Sequence, residues 1–142
     1  MRACITFAQN VSGYLMTLPM EHCSVTDARI GVALSEKGMQ LRGFRTTNVS
    51  RPVVASGNFT SLIVLDSTLS AAAGSSGVAI QSAGGQLWAR NVSTPGFATA
   101  ISTDRHSVAD GTDEYLYAKP LNLFPGAAVK STGLPIEDPP PR

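Results

Sequence analysis

The chain has 142 residues, 43% of them hydrophobic, and a formal net charge of +1. That is enough apolar material for one compact domain without help from disulfides. The near-neutral balance provides no global field for nucleic acid or anionic lipid, so partners held by long-range attraction are excluded.

At the N-terminus Arg2 precedes a weakly apolar stretch interrupted by Gln9, Asn10, Ser12 and Gly13. This is poor material for a signal-peptide core, and no export signal is expected. Met1 is read as a start inside a longer protein, because the first periodic unit begins almost at once. Cys4 and Cys23 lie nineteen residues apart, a spacing that matches no zinc or redox motif. They read as small core residues. A repeat of about twenty residues would also let them stack in neighbouring turns as a disulfide.

Internal similarity is the main signal. The triplet Asn-Val-Ser occurs at Asn10, Asn48 and Asn91, each time followed by an apolar stretch. The same order recurs after Asp27 and after Asp66 to Thr68, so that five units emerge. Their turn positions, taken as Asn10, Asp27, Asn48, Thr68 and Asn91, are separated by 17, 21, 20 and 23 residues. Leucine-rich repeats share this period, but the regular leucines and helical second half are missing.

Short, apolar, Gly-bounded segments such as Ser61–Leu69, Gly77–Gln81 and Gln86–Val92 read as strands. A solenoid of stacked parallel strands follows, with Asn in left-handed corners and side-chain amides bonded from coil to coil. Asp27, Asn48 and Asn91 are expected to form that ladder. The expected interior comprises Val25, Val32, Leu34, Leu41, Phe44, Val54, Ile63, Leu65, Val78, Ile80, Leu87, Ala98 and Ile101. Ala71–Ser76 is expected to protrude from a corner as a loop.

From Ser67 to Ala89 no charged residue occurs, but glycines and serines make the stretch too polar to span a membrane. After Ile101 the pattern stops. Coils are therefore expected over residues 1–103, and a loop, a capping segment and a Pro-rich tail over 104–142. In that second part Tyr115, Leu116, Tyr117, Leu121, Leu123 and Phe124 supply one or two strands that pack outside or cap the last coil.

The stacked Asn-Val-Ser turns, the segment Gly85-Gln86-Leu87-Trp88-Ala89-Arg90-Asn91-Val92 and a tail pattern together resemble the pectate lyase superfamily, including proteins related to glycoside hydrolase family 28. The tail pattern runs Glu114-Tyr115, Leu123-Phe124-Pro125, Lys130-Ser131 and Leu134-Pro135-Ile136-Glu137. The resemblance spans most of the chain. It implies an all-β, right-handed, single-stranded parallel β-helix of about five coils with a C-terminal cap or tail. It also implies a secreted or periplasmic setting and a polysaccharide or oligosaccharide partner.

Members of that superfamily act with carboxylates on one sheet face, or with calcium and a basic Arg, and this chain departs from both patterns. A hydrolytic pair needs two or three neighbouring Asp. A lyase needs several calcium-binding oxygens near an Arg. Asp27 and Asp66 fall two coils apart in this repeat, too far to share an ion. No metal site and no cofactor is expected, calcium entering only by analogy with the family.

Asp66 is a candidate general acid or base, with Arg45 and Arg90 on neighbouring coils to hold an acidic sugar. The alternative for Asp66 is a turn or strand-end hydrogen bond. His106, beside Asp104 and Arg105, could move a proton or simply be a solvated loop residue. Trp88 has the opposite strand parity to Leu87 and Ala89, so it should point outward as a sugar-stacking platform or pack beneath the C-terminal tail. Asn10, Asn48, Asn58 and Asn91 fall in glycosylation sequons, but corner geometry accounts for the repeated three. His22 beside Cys23 lacks further ligands for a metal.

The expectation for function is a β-helical portion of a carbohydrate-active protein, lyase-like or glycosidase-like, contributing scaffold and glycan contact without a recognisable catalytic constellation. Two alternatives stand beside it. One is a non-enzymatic β-helix adhesin or phage-tail-like receptor-binding module, and the other a truncated product.

Overall fold

The computed structural model describes residues 3–7, 17–35, 38–57, 60–105, 107–108 and 114–117. Among these residues there is no helix, and thirteen strands wind into a parallel β-solenoid of about four turns. One sheet stacks β1 (Ala3–Phe7), β4 (Ile30–Ser35), β7 (Arg51–Ser56), β9 (Val78–Ala83) and β11 (Thr99–Thr103) in parallel, ending in antiparallel β12 (Ser107–Val108). A second sheet stacks β2 (Thr17–Glu21), β5 (Gly38–Arg42), β8 (Ser61–Ala71) and β10 (Gln86–Ser93), ending in antiparallel β13 (Glu114–Tyr117). β3 (Ser24–Thr26) pairs with β6 (Arg45–Val49), and β6 with the second half of β8, forming a third face.

The basic coil is twenty-one residues. Ile30 registers with Arg51, and Val78 with Thr99, at that offset. Where the offset grows to twenty-seven, as from Val53 to Ile80, extra residues lie around Gly57–Thr60 and in the loop 72–77. That loop is folded by Ser75 N–H donating to Ala72 O at 3.0 Å and Ser75 Oγ donating to Ser50 O at 3.4 Å. These insertions make the sequence spacing irregular while the stack beneath stays regular.

Each coil turns at two sharp corners five residues apart. His22, Gly43, Asp66 and Asn91 form the first column and all have positive φ. Asp27 and Asn48 start the second column at positive φ; in the next coil the register shifts so that Ala71 pairs with Val49, and Gly96, again at positive φ, lies against Ala71. Asn and Asp adopt this region at lower cost than other residues with a Cβ, because their short polar side chains bond locally. A left-handed residue inside an extended segment also resets strand parity. Leu62 and Val64 point inward before Asp66, and Ser67 and Leu69 point inward after it. The same beat places Met39 and Leu41 inside before Gly43, then Phe44 and Thr46, and then Val49 beyond Asn48.

The interior is built of columns of like residues. Val32, Val53, Ile80 and Ile101 stack from coil to coil, as do Met39, Leu62 and Leu87, and each is buried. Each such side chain contributes about 1.5–3 kcal/mol by leaving water. Parallel stacking at about 4.8 Å puts every one in contact with its counterparts above and below. Buried hydroxyls are satisfied locally: Ser67 Oγ donates to Leu65 O at 2.7 Å and accepts from Phe44 N–H at 3.1 Å.

Several expectations change. Val54, Ile63, Leu65 and Val78 are half-buried and Ala98 is exposed, whereas Val53, Leu62 and Val64 occupy the interior. Within a continuous run such as Leu62-Ile63-Val64-Leu65 apolarity does not reveal which alternate residues face inward. Thr68 lies within β8, not at a corner. Cys4 falls between Ala3 and Ile5, whose partners are Ile30 and Val32, so its coil neighbour is Gly31 and not Cys23. Cys23 is a free thiol donating to Glu21 O at 3.4 Å. The expected corner at Asn10 lies outside the described residues, as do Asn58, Leu121, Leu123, Phe124 and the Pro-rich tail.

Candidate functional site

The Asn ladder is two separate rungs. Asn48 Nδ2 donates to Asp27 Oδ1 at 2.6 Å at the second corner, and Asn91 Nδ2 donates to Asp66 Oδ1 at 2.8 Å at the first. The single ladder of Asp27, Asn48 and Asn91 is therefore corrected. Both corners demand a left-handed residue followed by an inward one, and the triplet Asn-Val-Ser satisfies either.

Asp66 is exposed, and both carboxylate oxygens are engaged. Besides Asn91, its Oδ2 stands 3.6 Å from Arg42 Nε, with the two side chains 43% and 42% exposed. The strand-end hydrogen bond is thus the role observed. Arg45 and Arg90 sit on coils either side of Asp66 but on different faces. Arg45 is exposed on the third face between Ser24 and Thr68, while Arg90 lies on the outer side of the second sheet between Leu65 and Glu114. The Arg42 guanidinium pairs with Asp66. His106 lies outside the described residues.

Trp88 lies on the outer side of β10, since Leu87 and Ala89 on either side are buried and Trp88 is half-buried. It registers with Ile63 in the coil below and with Leu116 of β13. Its Nε1–H donates to Glu114 Oε1 at 2.9 Å, which fixes the indole against the sheet. Ser61, Leu62, Ile63, Gln86, Leu87, Trp88 and Leu116 surround a shallow depression of about 150 Å³. No side chain in this lining is ionisable.

Such a surface offers an aromatic ring and aliphatic neighbours on a rigid sheet, with the Ser61 hydroxyl and the Gln86 amide among its lining. An amphipathic ligand with one apolar face suits it. The outer strand expected around residues 115–117 and the alternative of Trp88 packed beneath the C-terminal segment describe this region, whereas sequence reasoning missed Glu114 as the indole's acceptor. Glu114 and Leu116 arrive from twenty-six and twenty-eight residues away on an antiparallel strand, whose apolar run is visible in the sequence while its register against β10 is not. Arg42 could have been found, because it precedes its corner residue by one position, as Arg90 does.

Among the described residues no group of three or more His, Cys, Asp or Glu side chains is placed to hold a metal ion. In comparisons with known proteins the chain matches no family model, no curated protein and no solved structure.

Proposed function

We propose that this chain is the β-solenoid portion of a carbohydrate-active protein of the pectate lyase and family 28 type, working outside the cytoplasm as scaffold and glycan-contacting surface. The observation that carries this reading is Trp88, an outward indole held by Glu114 on a rigid parallel sheet. Aromatic rings fixed in this way receive the apolar face of a sugar ring with little loss of conformational freedom. Stacked coils also present the same surface repeatedly along one axis, which suits a polymer with a repeating unit.

The test is binding of an oligosaccharide panel, neutral and uronate-containing, to the full chain and to Trp88→Ala, followed by calorimetry. Glycan binding that weakens at least roughly ten-fold in Trp88→Ala, equivalent to about 1.4 kcal/mol, supports the reading. No glycan binding, combined with a stable trimer in light scattering, replaces it with the adhesin alternative.

A further inference from the structure

We infer that the Trp88 depression is a subsite for one uncharged pyranose ring, and that the C-terminal strand β13 completes it. This inference rests on the glycan-contact reading above and adds the class of sugar.

Three observations lead there. The first is size: about 150 Å³ is well below the roughly 300 Å³ at which pockets for larger ligands begin, which suits one ring within the depression and any further rings outside it. The second is charge. None of Ser61, Leu62, Ile63, Gln86, Leu87, Trp88 and Leu116 ionises, and a uronate carboxylate seated among them would lose water without gaining a counter-charge. The nearest registered cation, Arg90, stands opposite Glu114 in the strand pair, and the negative charge of Glu114 opposes recruitment of a second anion. The third is construction. Ile63 and Trp88 come from stacked coils, whereas Leu116, and Glu114 that orients the indole, come from β13.

The sugar's apolar face would lie on Trp88, Ile63 and Leu116, with the Ser61 hydroxyl and the Gln86 amide available to its own hydroxyls. The preference for arginine over lysine, eight against three, would suggest an acidic sugar for the whole chain. This subsite selects the opposite class, because the arginines stand outside it.

The chain's one tryptophan is Trp88, so its fluorescence reports this site directly. The experiment titrates the full chain with neutral and with uronate oligosaccharides of equal length, reading Trp88 emission and calorimetric heat together. Neutral sugars are expected to shift the emission and to bind at least roughly ten-fold more tightly than uronates, with Leu116→Ala losing about that factor. Ile63→Arg, at a half-exposed position, should reverse the preference by placing a cation in the lining. Equal or tighter uronate binding with a Trp88 response overturns the inference, as does unchanged binding in Leu116→Ala. Glycan binding by calorimetry with silent Trp88 emission overturns the subsite and leaves glycan contact to another face. Absence of binding to every glycan overturns both readings.

Discussion

Replacing Gly85 by alanine measures how closely the coils stack where the chain passes from the first sheet to the second. Gly85 has φ +72°, and a Cβ built there would lie 2.1 Å from the Thr60 carbonyl oxygen of the coil below. That oxygen accepts the Gln86 N–H at 2.7 Å, and Thr60 is buried. Gly74 provides the control, because its φ is +71° but nothing lies within 4 Å of its built Cβ. Both alanines carry the left-handed cost of about 1–2 kcal/mol. Only Gly85→Ala must also push a backbone carbonyl out of its ladder bond, worth about 1 kcal/mol for the bond and about 1–3 kcal/mol for the buried acceptor left behind. Gly85→Ala should thus be about 2–4 kcal/mol less stable than Gly74→Ala. Urea unfolding followed by Trp88 fluorescence, three residues from the substitution, reads the difference. If the two variants fall within about 0.5 kcal/mol of each other, the coils are not in contact as described.

Further expectations concern parity, the corners and the surface pair. Leu62→Ala should cost about 2–5 kcal/mol and Ile63→Ala under about 1 kcal/mol, and equal costs by denaturant unfolding would contradict the inward and outward assignment. Asn48→Gly should lose only the bond to Asp27, while Asn48→Ala adds left-handed strain and should be about 1 kcal/mol worse by the same measurement. Arg42→Ala should cost less than about 1 kcal/mol, because both partners are more than two-fifths exposed, and raising salt should erase most of that cost. A large, salt-independent loss would show that Arg42 does more than pair with Asp66.

What the amino-acid sequence by itself determined was the kind of stack. Recurring Asn and Asp at left-handed corners, short Gly-bounded apolar strands and a period near twenty residues admit a strand solenoid and little else. The outward direction of Trp88 was legible too, because Leu87 and Ala89 on either side set the local alternation. Tertiary structure decided which corner each residue serves. Asn48 and Asn91 carry the same triplet because the two corners impose the same local demand, and only pairing across coils assigns one to Asp27 and the other to Asp66. It likewise decided the parity of Leu62-Ile63-Val64-Leu65, since four apolar residues in a row allow either face and burial summed over neighbouring coils selects one. Cys4 registers beside Gly31 and not Cys23 because the first offset is twenty-seven residues, whereas a Cys4–Cys23 pairing needs nineteen. A strand at 115–117 packing outside the coils was legible in its apolar run, but only the antiparallel register of β13 on β10 brings Glu114 to the Trp88 indole.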